Sequence, residues 1–145
     1  HVEATVRAAE AAYKEAGVTN PREQISMAEV HDCFSITEAV TMEDLRFSPR
    51  GKVQKDIEDG FFDLEGKLPV QPDGGLKCFG HPIGASGIRM LYEMYNQLQG
   101  RADRMLNKGQ PSRQIKNPKL GLTHNLGGGP AGCAIFVGIV GLEGV

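Results

Sequence analysis

The 145-residue chain predicts an α/β fold in which a mixed sheet is flanked by helices. Three observations point to it. Val2, Val6, Ala9, Tyr13 and Ala16 recur at three or four residues, the period of an amphipathic helix. Residues 25–30 form a short apolar stretch followed by a turn and a second helical segment, the strand-to-helix order of α/β proteins. Near the end, residues 120–125 and 131–140 flank Gly127, Gly128 and Gly129, which predicts two antiparallel strands joined by a tight glycine turn.

The first helix should stop at Gly17, and Asn20-Pro21 breaks the chain before the strand. That strand runs into His31-Asp32-Cys33-Phe34. Ser35-Ile36-Thr37-Glu38 then has the form of a capping box, with the serine capping the helix and the glutamate reaching back. The His-Asp-Cys tripeptide therefore falls at a strand-to-helix turn, at the carboxyl edge of the sheet where ligands bind in open α/β architectures. Residues 46–73 are irregular, broken by Pro49, Gly51, Gly60, Gly66, Pro69 and Pro72 around one short helix near 52–58. They read as a long surface excursion, the kind of segment that often serves as a lid or binding loop. A glycine-rich stretch, residues 74–87, leads into a helix with apolar Ile88, Leu91, Tyr92, Tyr95 and Leu98. Pro82 is expected in its first turn, where the missing N–H costs nothing, with His81 at the helix mouth. After a polar linker over 100–119, the second strand of the terminal pair reads as a buried one rich in β-branched residues.

Composition bounds the function. With 40% hydrophobic and 23% charged residues the chain is an ordinary globular domain, long enough to bury about two thirds of its unfolded surface. Eighteen acidic against sixteen basic side chains give a net charge of -2, so no broad cationic field draws nucleic acid or an anionic membrane. The longest nearly apolar run, residues 131–142, is shorter than the roughly 20 residues a bilayer requires, and no membrane span is expected. Cys33, Cys78 and Cys133 are widely spaced and form no Cys-x-x-Cys pair. Neither a zinc site nor a disulfide framework is expected, and a reducing compartment is favoured. The chain opens at His1, inside a helical pattern and without an initiator methionine, which reads as a piece of a longer polypeptide.

Of four histidines, His31, His81 and His124 stand beside turn signals. Each alone would be an ordinary structural histidine, holding a loop by hydrogen bonds. Together, His31 and Cys33 after a strand, His81 before a helix and His124-Asn125 beside a glycine run would converge on one sheet edge, as acid/base chemistry requires. Cys33 is either a buried small hydrophobe or a thiol activated by the helix N-terminus and a neighbouring imidazole. Cys78 and Cys133 read as structural. The glycine segments lack both the dinucleotide fingerprint and a Walker lysine, so phosphate binding is weakly indicated. Their backbone N–H groups suit a developing oxyanion instead, although Gly127 to Gly129 alone would also make a plain hairpin turn. A metal hydrolase built on His31, Cys33, His81 and His124 ranks last, and no metal site is expected.

Gly80-His81-Pro82-Ile83-Gly84-Ala85-Ser86-Gly87, preceded by Gly74-Gly75 and followed by Asn125-Leu126-Gly127-Gly128-Gly129-Pro130, resembles the C-terminal half of thiolases. His31-Asp32-Cys33-Phe34 resembles the sterol-carrier-protein type and its archaeal and bacterial relatives, where most thiolases carry Asn-Glu-Ala-Phe. The resemblance implies a three-layer α/β domain over residues 1–145 whose first strand, expected before the first helix, is missing along with the nucleophile-bearing N-terminal half. It implies coenzyme A thioesters as substrates, with no tightly bound cofactor, and thiolysis of a 3-ketoacyl-CoA or Claisen condensation of acetyl-CoA through a cysteine thioester. In this scheme His81 activates the absent nucleophile and helps bind the thioester oxygen. His31 stands where an asparagine organises an oxyanion hole. Asn125 replaces the usual second catalytic cysteine, and Cys33 takes over the proton transfer at the acetyl α-carbon. The Gly127 N–H is the other oxyanion donor, with Asn125 and His124 as adjacent polar groups.

The implied partners are acyl-CoA or CoA, the N-terminal half and a second copy in a dimer or larger oligomer, and the 145-residue chain alone should be inactive. The cytoplasm is the expected location in a bacterium or archaeon, the peroxisome or mitochondrion in a eukaryote. Two competitors remain. A thiolase-like retro-aldolase would release no acetyl-CoA from acetoacetyl-CoA. A noncatalytic half-subunit binding lipid or CoA thioesters would bind its ligand normally after His81→Ala.

Overall fold

The computed structural model describes residues 1–129 and 132–142. Helix α1 (Glu3–Ala16) follows the expected period and buries Thr5, Ala9 and Tyr13. It closes at Gly17, whose left-handed φ of 68° turns the chain out of the helix, and the Tyr13 carbonyl accepts a closing N–H. The Asn20-Pro21 break becomes a single helical turn, α2 (Pro21–Gln24), with proline in the first position. Gln24 Oε1 accepts the N–H groups of Thr19 and Asn20, satisfying donors the short helix leaves free. Strand β1 (Met27–Glu29) is buried along its whole length.

Helix α3 (Ser35–Asp44) corrects the capping-box expectation. Extended backbone continues through Phe34 (φ -135°, ψ 145°), which occupies the cap position, and no side chain caps the helix. Ser35 lies one residue too far inside, with helical geometry that cannot serve as a cap. The excursion over 46–73 is anchored more firmly than a lid would be. It carries α4 (Val53–Glu58) and buries Phe47, Phe62 and Leu68. Arg22 pairs with both oxygens of Asp56 at 2.9 Å, and Val70 forms a parallel bridge beside Ala28 of β1. One further helical turn, α5 (Gly75–Phe79), lies in the glycine-rich stretch where only loop was expected.

Helix α6 (Ser86–Leu98) begins four residues after Pro82, which therefore sits outside the first turn. The Pro82 carbonyl accepts the N–H groups of Ala85 and Ser86, forming a tight turn that leads into the helix. The polar linker adds a short 3-10 turn (Ala102–Met105). Strands β2 (Leu120–Gly129) and β3 (Gly132–Gly141) pair antiparallel, with Asn125 opposite Phe136 and Gly129 opposite Gly132. The three glycines are thus the end of a strand, and the connection at residues 130–131, including Ala131 of the expected strand, lies outside the described residues.

The sheet order is β1-β2-β3, parallel between the first two and antiparallel between the last two. One face packs Ala28, Leu122 and Ile139 against Ala9 and Tyr13 of α1 and Met42 of α3. The other packs Met27 and Val140 against Met94 of α6. Gly121 makes this second contact possible, because a Cβ there would lie 2.3 Å from Met94 Sδ. The result is three layers, helix on mixed sheet on helix.

Two burial expectations fail. Strand β3 is exposed to half-buried along its length, and Phe136 is 54% exposed. On α6 the sheet-facing side is Met90, Glu93, Met94 and Gln97, while Ile88 (71% exposed), Leu91, Tyr92 and Tyr95 face outward. The helix carries two stripes at helical spacing, and among the described residues the more apolar one is largely uncovered.

Candidate active site

Two histidine-bearing turns meet. His31 follows β1 directly, His81 lies between α5 and α6, and their rings contact edge-to-face with centroids 4.9 Å apart. His31 is buried, and its Nδ1 has no hydrogen-bond partner among the described residues. Burial, reinforced by the neighbouring His81, holds its pKa below the ordinary histidine value against the pull of Asp32. The His81 side lies open to solvent. His81 Nδ1 lies 2.8 Å from Ser86 Oγ, the first residue of α6 and a buried one. The Ser86 hydroxyl donates to the Pro82 carbonyl at 3.3 Å, so the hydrogen shared with Ser86 belongs to His81 Nδ1. His81 is therefore not at the helix mouth itself but is tied to its first residue.

His124 lies on the opposite face of the sheet from Asn125, because successive strand residues alternate. It is fully buried, with Nε2 3.3 Å from Thr5 Oγ1 of α1 and Nδ1 facing the His31 N–H at 3.5 Å. Burial lowers its pKa to about 4, so it stays neutral and supports the backbone at His31. Asn125 is half-buried beside Gly87, where a Cβ would lie 3.2 Å from its Nδ2, and it donates to Met90 Sδ at 3.1 Å. With Ile83, Ile88, Leu91 and Phe136 it lines a shallow apolar groove of about 320 Å³. Gly127 is exposed, and a Cβ on it would meet nothing within 4 Å.

Cys33 is exposed, which removes the small-hydrophobe alternative, and its Sγ lies 3.9 Å from Thr37 Oγ1 in the first turn of α3. Cys78 and Cys133 are also free and exposed, so neither is a core residue.

Two residues that the sequence reading passed over hold the turns in place. Asp32, buried between His31 and Cys33, accepts the Leu76 N–H at 2.9 Å. This ties the His31 turn to the segment leading to His81. The signal was the acidic residue within His-Asp-Cys opposite a Gly-Gly pair. Ser86 orients His81, and its signal was a hydroxyl five residues later within the same octapeptide. Among the described residues no group of three or more His, Cys, Asp or Glu side chains is placed to hold a metal ion, and no helix is long and apolar enough to cross a membrane.

A three-layer mixed domain with two histidine turns meeting at the carboxyl end of a parallel strand is thiolase-like in architecture. The family model for the "Thiolase C-terminal domain-like" group matches residues 1–137, and the chain belongs to that family. Acetyl-CoA acetyltransferase of Methanothermobacter thermautotrophicus is 41% identical over 136 residues, 94% of this chain and 33% of that protein. Sterol carrier protein 2 of Gallus gallus is 39% identical over 127 residues, 88% of this chain and 21% of that protein. The chain thus spans a third or less of these relatives. Among solved structures, the "Ltp2-ChsH2(DUF35) aldolase" superimposes with a TM-score of 0.73 over 97% of this chain and 32% of that one, at 21% identity. That likeness is one of fold.

Proposed function

We propose that residues 1–145 form the C-terminal part of an acyl-CoA C-acyltransferase that cleaves 3-ketoacyl-CoA with CoA or condenses acetyl-CoA in reverse. The observation that carries this reading is the His31–His81 contact, in which Ser86 holds one nitrogen of His81 and leaves the other free as a base. In the thiolytic direction, His81 Nε2 takes the thiol proton of a cysteine supplied by the N-terminal half. The cysteine sulfur attacks the C3 carbonyl of the substrate, and the C2–C3 bond breaks to leave an acyl thioester and the acetyl-CoA enolate. Cys33 gives its proton to C2 of that enolate. The thiol of free CoA, losing its proton to the Cys33 thiolate, then attacks the acyl thioester, and the released enzyme cysteine takes back its proton from His81. The imidazole N–H of His31 and the backbone N–H of Gly127 stabilise the oxyanion, and Asn125 borders the acyl groove.

The outward stripe of α6 supports the proposed partners. Ile83 (87% exposed), Ile88, Tyr92, Tyr95 and Phe136 present apolar surface of the kind that a second domain covers, here the N-terminal half, with a second copy completing a dimer. Three exposed free thiols fit a reducing compartment, the cytoplasm of a bacterium or archaeon.

The test is cleavage of acetoacetyl-CoA by the complete protein in the presence of CoA, followed by acetyl-CoA formation. His81→Ala should lower the rate by about 10²–10⁴-fold, the range for loss of a general base. Acyl transfer is refuted if no acetyl-CoA forms. Carbonyl release from a β-hydroxyacyl thioester would then favour the retro-aldolase, and CoA-thioester binding indifferent to His81→Ala would favour a noncatalytic carrier.

A further inference from the structure

The elements that carry the two histidines also hold an ion cluster that the acyl-transfer scheme leaves unused. Glu29, the last residue of β1, is fully buried and accepts from Arg89 Nη2 at 2.9 Å. Arg89, in the first turn of α6, also pairs through Nη1 with Asp73, and its guanidinium carbon lies 5.2 Å from the centroid of the Phe79 ring. The other oxygen of Asp73 accepts the Gly75 N–H at 2.8 Å. Glu29 Oε1 and Arg89 Nε are buried without partners among the described residues. Burial pushes the Glu29 carboxyl up to about 8 against the pull of Arg89, whose second carboxylate contact is Asp73. Burying such groups is costly, and apolar side chains of similar volume often serve stability as well. The cluster's value therefore lies in what it fixes.

What it fixes is the segment bearing His81. Asp73 and Arg89 are 16 residues apart in the chain and bracket that segment, so their ion pair closes it at both ends. The same arginine reaches back to Glu29, two residues before His31. One guanidinium thus joins the end of β1, the start of the His81 segment and the helix whose first residue holds His81 Nδ1. We propose that Arg89 is a positioning residue that sets the His31–His81 contact by clasping these three elements. Among the described residues it makes no hydrogen bond to either ring. The geometric part of the proposal stands on these contacts alone, and its kinetic consequence rests on the thiolase reading.

The test uses the full-length protein. Arg89→Met keeps the apolar stem and removes the clasp, Arg89→Lys keeps the charge without the fork, and Asp73→Asn neutralises the pair while keeping an acceptor for Gly75. Crystal structures of the wild type and Arg89→Met should show the ring contact kept in the first and lost in the second, with His81 displaced by about 1 Å or more. A misplacement of that size should lower kcat/KM for thiolysis about 10²-fold, mostly in kcat, with Arg89→Lys recovering part of the loss. Adding Asp73→Asn to Arg89→Met should cost nothing more, because the pair acts as one unit. Should Arg89→Met fail to fold, Asp73→Asn alone supplies the same structural comparison. An unmoved His81, or fully additive losses, would overturn the proposal. An inactive wild type would overturn the acyl-transfer reading instead, and the crystallographic comparison would still decide the clasp.

Discussion

Replacing Gly75 by alanine tests the fastening between the two histidine turns, and Gly17→Ala supplies its control. Both glycines have nearly the same left-handed backbone, with φ of 66° and 68°. A non-glycine residue there costs about 1–2 kcal/mol. Their surroundings differ. A Cβ at Gly17 meets nothing within 4 Å, whereas one at Gly75 would lie 2.4 Å from Asp32 Oδ2, 2.9 Å from Asp32 Cγ and 3.0 Å from Gln71 Cδ. Asp32 is 2% exposed and holds the Leu76 N–H, so it has no solvent to swing into. Displacing it forfeits a hydrogen bond to a charged group, about 1.5–3 kcal/mol. Gly75→Ala should therefore destabilise the protein by about 2.5–5 kcal/mol and Gly17→Ala by about 1–2 kcal/mol, additive as separate terms. Urea denaturation of both variants beside the wild type measures the difference. Equal losses would show that Asp32 yields freely and that the fastening is not rigid.

Further outcomes follow from the same contacts. His124 has a folded pKa of about 4 against an ordinary value of 6.5, so the unfolded chain binds more protons between those limits and stability falls as pH drops through that window. The loss amounts to about 3 kcal/mol, and in denaturation curves from pH 7 to 4 it should vanish in His124→Gln; parallel curves would refute the assignment. Ser86→Ala should lower kcat about five- to tenfold, the worth of one hydrogen bond, with KM unchanged, and a change in KM alone would show that Ser86 does not orient His81. Ile88→Asp, at a position 71% exposed, should leave the stability of this domain unchanged and weaken its association with the separately expressed N-terminal half by tenfold or more. Unaltered binding in a titration would place the partner on another face.

Much of the architecture was legible because its signals are local. The Gly17 stop, the 3.6-residue period of α1 and the strand-turn-helix order around His31 depend on neighbours within one or two turns of chain. The capping box misled because Ser-x-x-Glu fixes spacing but not phase, and one further residue of extended backbone at Phe34 moved the serine inside the helix. The inward stripe of α6 was overlooked because Met90 and Met94 alternate with Glu93 and Gln97, whose polarity is satisfied by Arg113 and by the backbone at Ile115. Nothing within the helix announces those partners.

By itself the sequence determined which turns carry the imidazoles and the thiol, since glycine, proline and apolar period act over short range. Only the tertiary structure decided that His31 and His81 share an edge contact while His124 turns the other way from Asn125 and packs on Thr5 of α1. The parallel register of β1 with β2 and the closures made by Asp32 and Arg89 join residues more than forty positions apart, and short-range propensities carry no record of such contacts.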